Sequence, residues 1–120
     1  MTITLPLPAR ELSPNWRGHW ATKARAVQRY RMHAWAVARA TAPGPLGPMP
    51  EWVRATAHTT FYLPDRRRRD RDNLMASLKA CWDGLVDARV LADDAGLIQM
   101  PPVLAVDRDR PRVEITLEAA

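Results

Sequence analysis

One cysteine, Cys81, occurs in 120 residues, which excludes a disulfide framework and a thiolate zinc cluster. The three histidines, His19, His33 and His58, lack metal-ligand spacing. Ser13 and Ser77 are the only serines, and no Ser/His/Asp arrangement for nucleophilic catalysis accompanies them. Five scattered glycines form no phosphate-cradling loop. No apolar run approaches a membrane span, and Met1 to Pro6 holds neither a charged leader nor a long apolar stretch. The expected location is a reducing compartment, the cytoplasm. Acidic residues are missing between Glu11 and Glu51, whereas Arg17, Lys23, Arg25, Arg29, Arg31 and Arg39 all fall there.

What is present is basic charge, unevenly placed. The formal net charge is +5, which favours a polyanionic partner or a membrane surface. Asp70, Asp72, Asp83, Asp87, Asp93 and Asp94 gather in the second half, so a basic surface surrounds an acidic cluster. The bland alternative is a solvated charged helix. The length suits one domain with one modest core.

Hydrophobic periodicity orders the elements. Ile3, Leu5 and Leu7 alternate with polar residues as a short strand, which Pro6 and Pro8 place at an edge or an end. Ala21 to Thr41 has no Gly or Pro and predicts a long helix, with Ala24, Val27, Ala34, Val37 and Ala38 inward and Lys23, Arg25, Arg29 and Arg39 outside that stripe. Ala42 to Pro50 is a rigid Pro/Gly connector. Val53 to Leu63 has the longest period-two pattern and predicts a central strand, with His58 on its polar face as an ordinary sheet histidine. Leu74, Leu78, Trp82 and Leu85 predict a second helix from near Asp72 to near Asp87. Pro101-Pro102 interrupts the next strand and argues for an edge or a bend. Arg112 to Glu118 closes the chain, expected in a final hairpin. The whole is a single small α+β domain of β-α-β-α-β-β order, a mixed or antiparallel sheet against two helices.

The chemistry concentrates where the central strand meets the second helix. Arg66, Arg67, Arg68, Arg69 and Arg71 form a phosphate-binding run beside Asp70 and Asp72. Lys23, Arg25 and Arg29 extend the basic surface along the first helix. Two carboxylates about 4 Å apart repel by roughly 4 kcal/mol at an effective dielectric near 20. Clustering them is worthwhile with a cation between them, and their oxygens suit Mg²⁺. Asp72 alone reads equally as a helix N-cap. Lys79, two turns after Asp72, shares its face and can reach a phosphate, or is simply an exposed helical lysine. Asp93-Asp94 can return a third carboxylate, or belongs only to a turn.

The run Pro64 to Leu74, then Lys79, Asp83-Gly84-Leu85 and Asp93-Asp94, resembles the RusA-type Holliday junction resolvases and related small phage and prophage endodeoxyribonucleases. The match covers most closely the stretch from Phe61 to Met100. The resemblance implies a homodimeric, Mg²⁺-dependent crossover junction endodeoxyribonuclease, with Mn²⁺ as a substitute metal. Such an enzyme resolves four-way DNA junctions by paired symmetric nicks in recombination and repair. Asp70, Asp72 and Asp94 match its metal carboxylates, with Asp93 as the substitute for Asp94. Arg69 falls where the family has a basic residue near the site. The family's lysine stands four residues after the second aspartate, where this chain has Ala76; Lys79, one turn later, is expected to take that role. A glycine is usual near Arg89. Two other readings stay open, a junction-binding protein without catalysis and a less selective nuclease of flaps or forks.

Overall fold

The strand β2 (Ala55–Leu63) is the axis of the molecule. Its odd-numbered residues Ala55, Ala57, Thr59, Phe61 and Leu63 are buried, and the alternate ones face the polar side. His58 stands on that polar face, exposed and paired with Glu118 at 3.1 Å. The computed structural model describes residues 1–41 and 48–120. Most of the expected connector from Ala42 to Pro50, residues 42–47, lies outside that description.

Around β2 the sheet has five strands. On one side β5 (Arg112–Ala119) pairs antiparallel with β2, and β1 (Thr2–Leu5) pairs antiparallel with β5 as the edge. On the other side β3 (Leu97–Gln99) and β4 (Val103–Val106) follow one another along β2, both parallel to it. They are two pieces of one edge strand, broken at Met100-Pro101-Pro102 because proline cannot supply a ladder donor. The expected final hairpin does not form: β4 and β5 pair with β2 on opposite sides. Burial decides this. Val113, Ile115 and Leu117 of β5 are completely enclosed and demand an inner position. Val103 and Val106 remain exposed, which only an edge allows.

Helix α1 (Trp20–Thr41) packs on the buried side of the sheet. Its inner row is Ala26, Tyr30, Ala34 and Ala38, flanked by half-buried Val27 and Val37, whereas Ala24 is exposed. Tyr30 entered the core because its hydroxyl donates to the Pro6 carbonyl at 2.8 Å, meeting the polar requirement of a buried tyrosine. The second helix, expected unbroken, is two: α2 (Arg71–Ala76) and α3 (Lys79–Asp87), separated at Ser77-Leu78. Ser77 Oγ donates back to the Asn73 carbonyl at 2.8 Å, a bond that competes with the helical ladder. Leu78, Trp82 and Leu85 are buried as expected, and Leu74 is half-buried. Fully burying a side chain such as Leu78 or Leu85 contributes about 1.5–3 kcal/mol. No helix among the described residues is long and apolar enough to cross a membrane.

Two backbone features join these layers. At Gly84 a Cβ would overlap the backbone oxygen of Arg31 and stand 2.9 Å from Ala34 Cβ, so α3 lies directly against α1. One turn on, Arg31 grips Asp87 through two bonds of 2.6 and 2.9 Å. At the end of α3, Arg89 takes a left-handed φ of 65°. There the Val90 amide reaches back to the Leu85 carbonyl at 3.0 Å and closes the helix, a conformation in which glycine is the usual residue.

These contacts generate two stability predictions. Gly84→Ala should destabilise by about 1–2 kcal/mol: overpacking against backbone outweighs the roughly 1 kcal/mol of added helix preference. Arg89→Gly should stabilise by about 1 kcal/mol by relieving the left-handed strain. Urea unfolding midpoints of the two variants, at unchanged slope, check both.

Candidate active site

Past Leu63 the chain turns at Pro64-Asp65, and Asp65 organises the arginine run. Its carboxylate accepts the Arg67 amide at 2.9 Å and the Arg67 side chain at 3.2 Å, and pairs with Arg69 at 2.7 Å. Arg69 in turn donates to the carbonyls of Asp65 and Arg67, each at 2.9 Å, and its side chain is only 19% exposed. The Arg67 amide and then the Arg69 guanidinium hold the Asp65 carboxyl down to about 2. Arg69 is therefore turned inward as a strut. Arg66 and Arg68 are exposed and make no hydrogen bond or ion pair among the described residues. Asp65 had no assigned role in the sequence; the signal was an Asp after Pro with arginines two and four residues on, an Asx-turn pattern.

Asp70, not Asp72, is the N-cap of α2. Its Oδ1 accepts the amides of Asp72 at 2.9 Å and Asn73 at 3.1 Å. The extended backbone of Asp70, φ −81° and ψ 116°, is the conformation a cap requires. Asp72 occupies the first turn, exposed, and its carboxylate has no partner among the described residues. Arg71 reaches across to the Pro102 carbonyl at 3.0 Å and ties α2 to the edge strand.

A cavity of about 1110 Å³ lies over this turn. Its rim is the run from Asp65 to Asp72, and its apolar floor is Leu63, Leu104, Ala105 and Val106. A second depression of about 200 Å³ shares Arg69 and Asp70 with it and continues past Asn73 to Ser77. A third, about 230 Å³, shares Ser77 and contains Lys23, Lys79 and Asp83. The second adjoins the first at Arg69 and Asp70, and the third adjoins the second at Ser77, so three separate depressions, together called the groove, lie in a row from the arginine turn to the chain's two lysines.

Lys79 stands at the start of α3, after the break that follows α2. Its ammonium donates to Asp94 at 2.5 Å and to Asp83 at 3.0 Å. Those bonds, Asp94's first, raise the pKa of Lys79, and Lys79 lowers that of Asp94. Asp93 instead caps a short 3₁₀ turn, accepting the Ala95 amide at 3.2 Å. Among the described residues no three Asp, Glu, His or Cys side chains converge as a metal site. The expected set thus divides into Asp70 and Asp72 at the arginine cavity and Asp94 held by Lys79. Mg²⁺ is commonly bound by one or two carboxylates, with water and substrate phosphate completing the shell. Asp70 Oδ2 and the Asp72 carboxylate fit that donor set; the Oδ2 of Asp94 is engaged by Lys79.

The outer basic residues differ in availability. Lys23 is partly covered, with its ammonium 3.4 Å from the Ser13 carbonyl. Arg25 leans on Thr22 at 3.5 Å, and Arg29 is exposed. Arg67 is 80% exposed although it touches Asp65.

No family model matches the chain. It is 34% identical over 116 residues to an uncharacterized protein of Xylella fastidiosa, an alignment covering 97% of this chain and 74% of that protein. The chain belongs to the same family as that protein.

The Asp65 pairing has a pH signature. Its folded pKa lies below the roughly 3.9 of a free aspartate, so the pairing acts fully above about pH 4. It is lost as pH falls through about 2. The Asp65 carboxyl carbon, followed by NMR, should titrate near that lower value and move toward about 3.9 in Arg69→Gln.

Proposed function

We propose that this chain is a metal-dependent, structure-specific endodeoxyribonuclease of the RusA type that resolves four-way DNA junctions. The observation that carries the reading is the groove, with unpaired arginines and three uncommitted oxygens of Asp70 and Asp72 at one end and the two lysines at the other. Arg66 and Arg68 take backbone phosphates, for which guanidinium forks are well shaped. Asp70 Oδ2 and Asp72 would hold Mg²⁺, or Mn²⁺ in its place. When bound, the cation supplies an activated water and offsets charge on the scissile phosphodiester. Hydrolysis leaves a 3′-hydroxyl and a 5′-phosphate.

The protein's own groups orient the strand. The Asp70 cap fixes the start of α2 beside the arginine turn, so Asp72 and the phosphate-binding side chains keep one geometry. Lys79, held cationic by Asp94 and Asp83, lies farther along the groove, where it balances phosphate charge. A four-way junction is nearly two-fold symmetric, so a C₂ homodimer places one groove on each of two opposed strands. The buried free Cys81 suits a reducing cytoplasm.

A second reading has a specific observation in its favour. Lys79 and Asp94 neutralise one another away from the arginine cavity, an arrangement that suits a junction-binding protein without cleavage. Nicking of a labelled four-way junction and a matched linear duplex, with Mg²⁺ or EDTA, separates the two. Wild type should give paired nicks in the junction only, and only with Mg²⁺. Asp72→Asn should lower nicking by more than about 100-fold, since even outer-shell partners of a metal are worth about 10- to 100-fold. Junction affinity should be little changed. Tight binding with no nick in Mg²⁺ or Mn²⁺ establishes the non-catalytic reading, and equal cutting of duplex and junction establishes a less selective nuclease.

A further inference from the structure

A second arginine-bearing turn leaves the same end of the sheet. Leu63 of β2 is opposite Val106 of β4, and Tyr62 is opposite Arg112 of β5. Because β4 and β5 flank β2, the segment from Asp107 to Pro111 must cross over the end of β2. The Asp107 amide makes that contact, donating to the Leu63 carbonyl at 2.8 Å. The crossover therefore lies beside the turn that carries Arg66 to Arg69, and Val106, just before it, lines the arginine cavity.

The two turns share a construction. In the first, Asp65 accepts a backbone amide two residues on and pairs with Arg69, which donates to carbonyls of the turn. In the second, Asp107 accepts the amides of Asp109 at 3.2 Å and Arg110 at 3.1 Å, and pairs with Arg112 at 2.8 Å. Arg112 also donates to the Arg110 carbonyl at 2.8 Å and to Glu114 at 3.0 Å, and lies 3.9 Å over the Tyr62 ring. Its side chain is 20% exposed. Each turn thus consumes one arginine as a strut. Each leaves two alternate arginines both exposed and unpaired: Arg66 and Arg68 in one, where the exposed Arg67 between them is paired with Asp65, and Arg108 and Arg110 in the other. Among the described residues these four make no side-chain ion pair, and neither does Asp109, which lies between Arg108 and Arg110.

We propose that the Asp107–Pro111 crossover is a second DNA-backbone clamp, in which Arg108 and Arg110 bind phosphates beyond those held by Arg66 and Arg68. This rests on the DNA-binding reading of the groove and adds residues that the sequence motif does not contain. Neighbouring strands stand about 4.8 Å apart, so the crossover spans about 10 Å. That is the rise of roughly three nucleotides along one strand. The turn is held by its own hydrogen bonds, so binding costs only the ordering of exposed side chains. None of the candidate metal carboxylates lies in it, and its contribution is to affinity.

The test is junction binding by fluorescence anisotropy in EDTA, where no cutting occurs, between roughly 50 and 200 mM salt. The proteins are wild type, R66A/R68A, R108A/R110A and R108K/R110K. Each neutralised phosphate contributes about 0.9 to the log–log salt slope, and a C₂ dimer carries each pair twice, so both alanine pairs should flatten it by about 3.6 while the lysine pair retains it. A wild-type slope in R108A/R110A, with a flattened one in R66A/R68A, overturns the second clamp and leaves the groove reading standing. Absence of salt-dependent binding by the wild-type protein overturns both.

Discussion

The contact between α3 and α1 at Gly84 is the constraint on which the helical side of the molecule depends. With only a hydrogen at that position, α3 lies on the backbone of α1 near Arg31 and Ala34. The small residues Ala34 and Ala38 keep the approach close, and the Arg31–Asp87 pair locks it one turn later. Once α3 is placed, Lys79 at its first residue faces Asp94 and Asp83. α2, joined to α3 by the Ser77-Leu78 break, then has its start only where β2 ends. Asp70 is thus bounded on one side by the end of β2 and on the other by α2 and α3, the latter seated on α1 at Gly84.

Distribution of charge partners separates struts from free groups. Asp65 is matched by Arg69, Asp87 by Arg31, Asp83 and Asp94 by Lys79, and Asp107 and Glu114 by Arg112. Asp70 and Asp72 stand among arginines yet pair with none of them. Asp70 spends one oxygen on the cap of α2, and Asp72 spends neither. Exposed ion pairs contribute little to stability, so the matched pairs chiefly set geometry. The unmatched groups, two carboxylates and the outward arginines, line one end of the groove.

Much of the architecture was legible because it follows from periodicity. Alternation marked β2 as central, the run from Leu74 to Leu85 marked an apolar helical face, and Pro101-Pro102 marked a broken edge. Other features were not legible, each for a local reason. Ala24 and Ala26 are chemically the same, so only the position of Tyr30 beneath Pro6 told which faces inward. Asp70 and Asp72 are both good caps, and the path of the chain out of β2 selected the first. Arg69 reads as one arginine in a run of four, but within that run its side chain alone donates to the turn's backbone carbonyls. The arginines of the Asp107–Pro111 crossover belong to no recognisable motif. They matter only because β4 and β5 settle on opposite sides of β2.

Composition and order along the chain by themselves determined an α+β domain with β2 at its centre and a concentration of arginine and aspartate where β2 ends. Those properties depend on solvent preference and on spacing between near neighbours, which a linear sequence carries. Tertiary structure alone decided which carboxylates share a cavity, which arginines are struts, and which two turns lie side by side. Those outcomes depend on helix approach and strand order, which are set by packing between residues far apart in the chain.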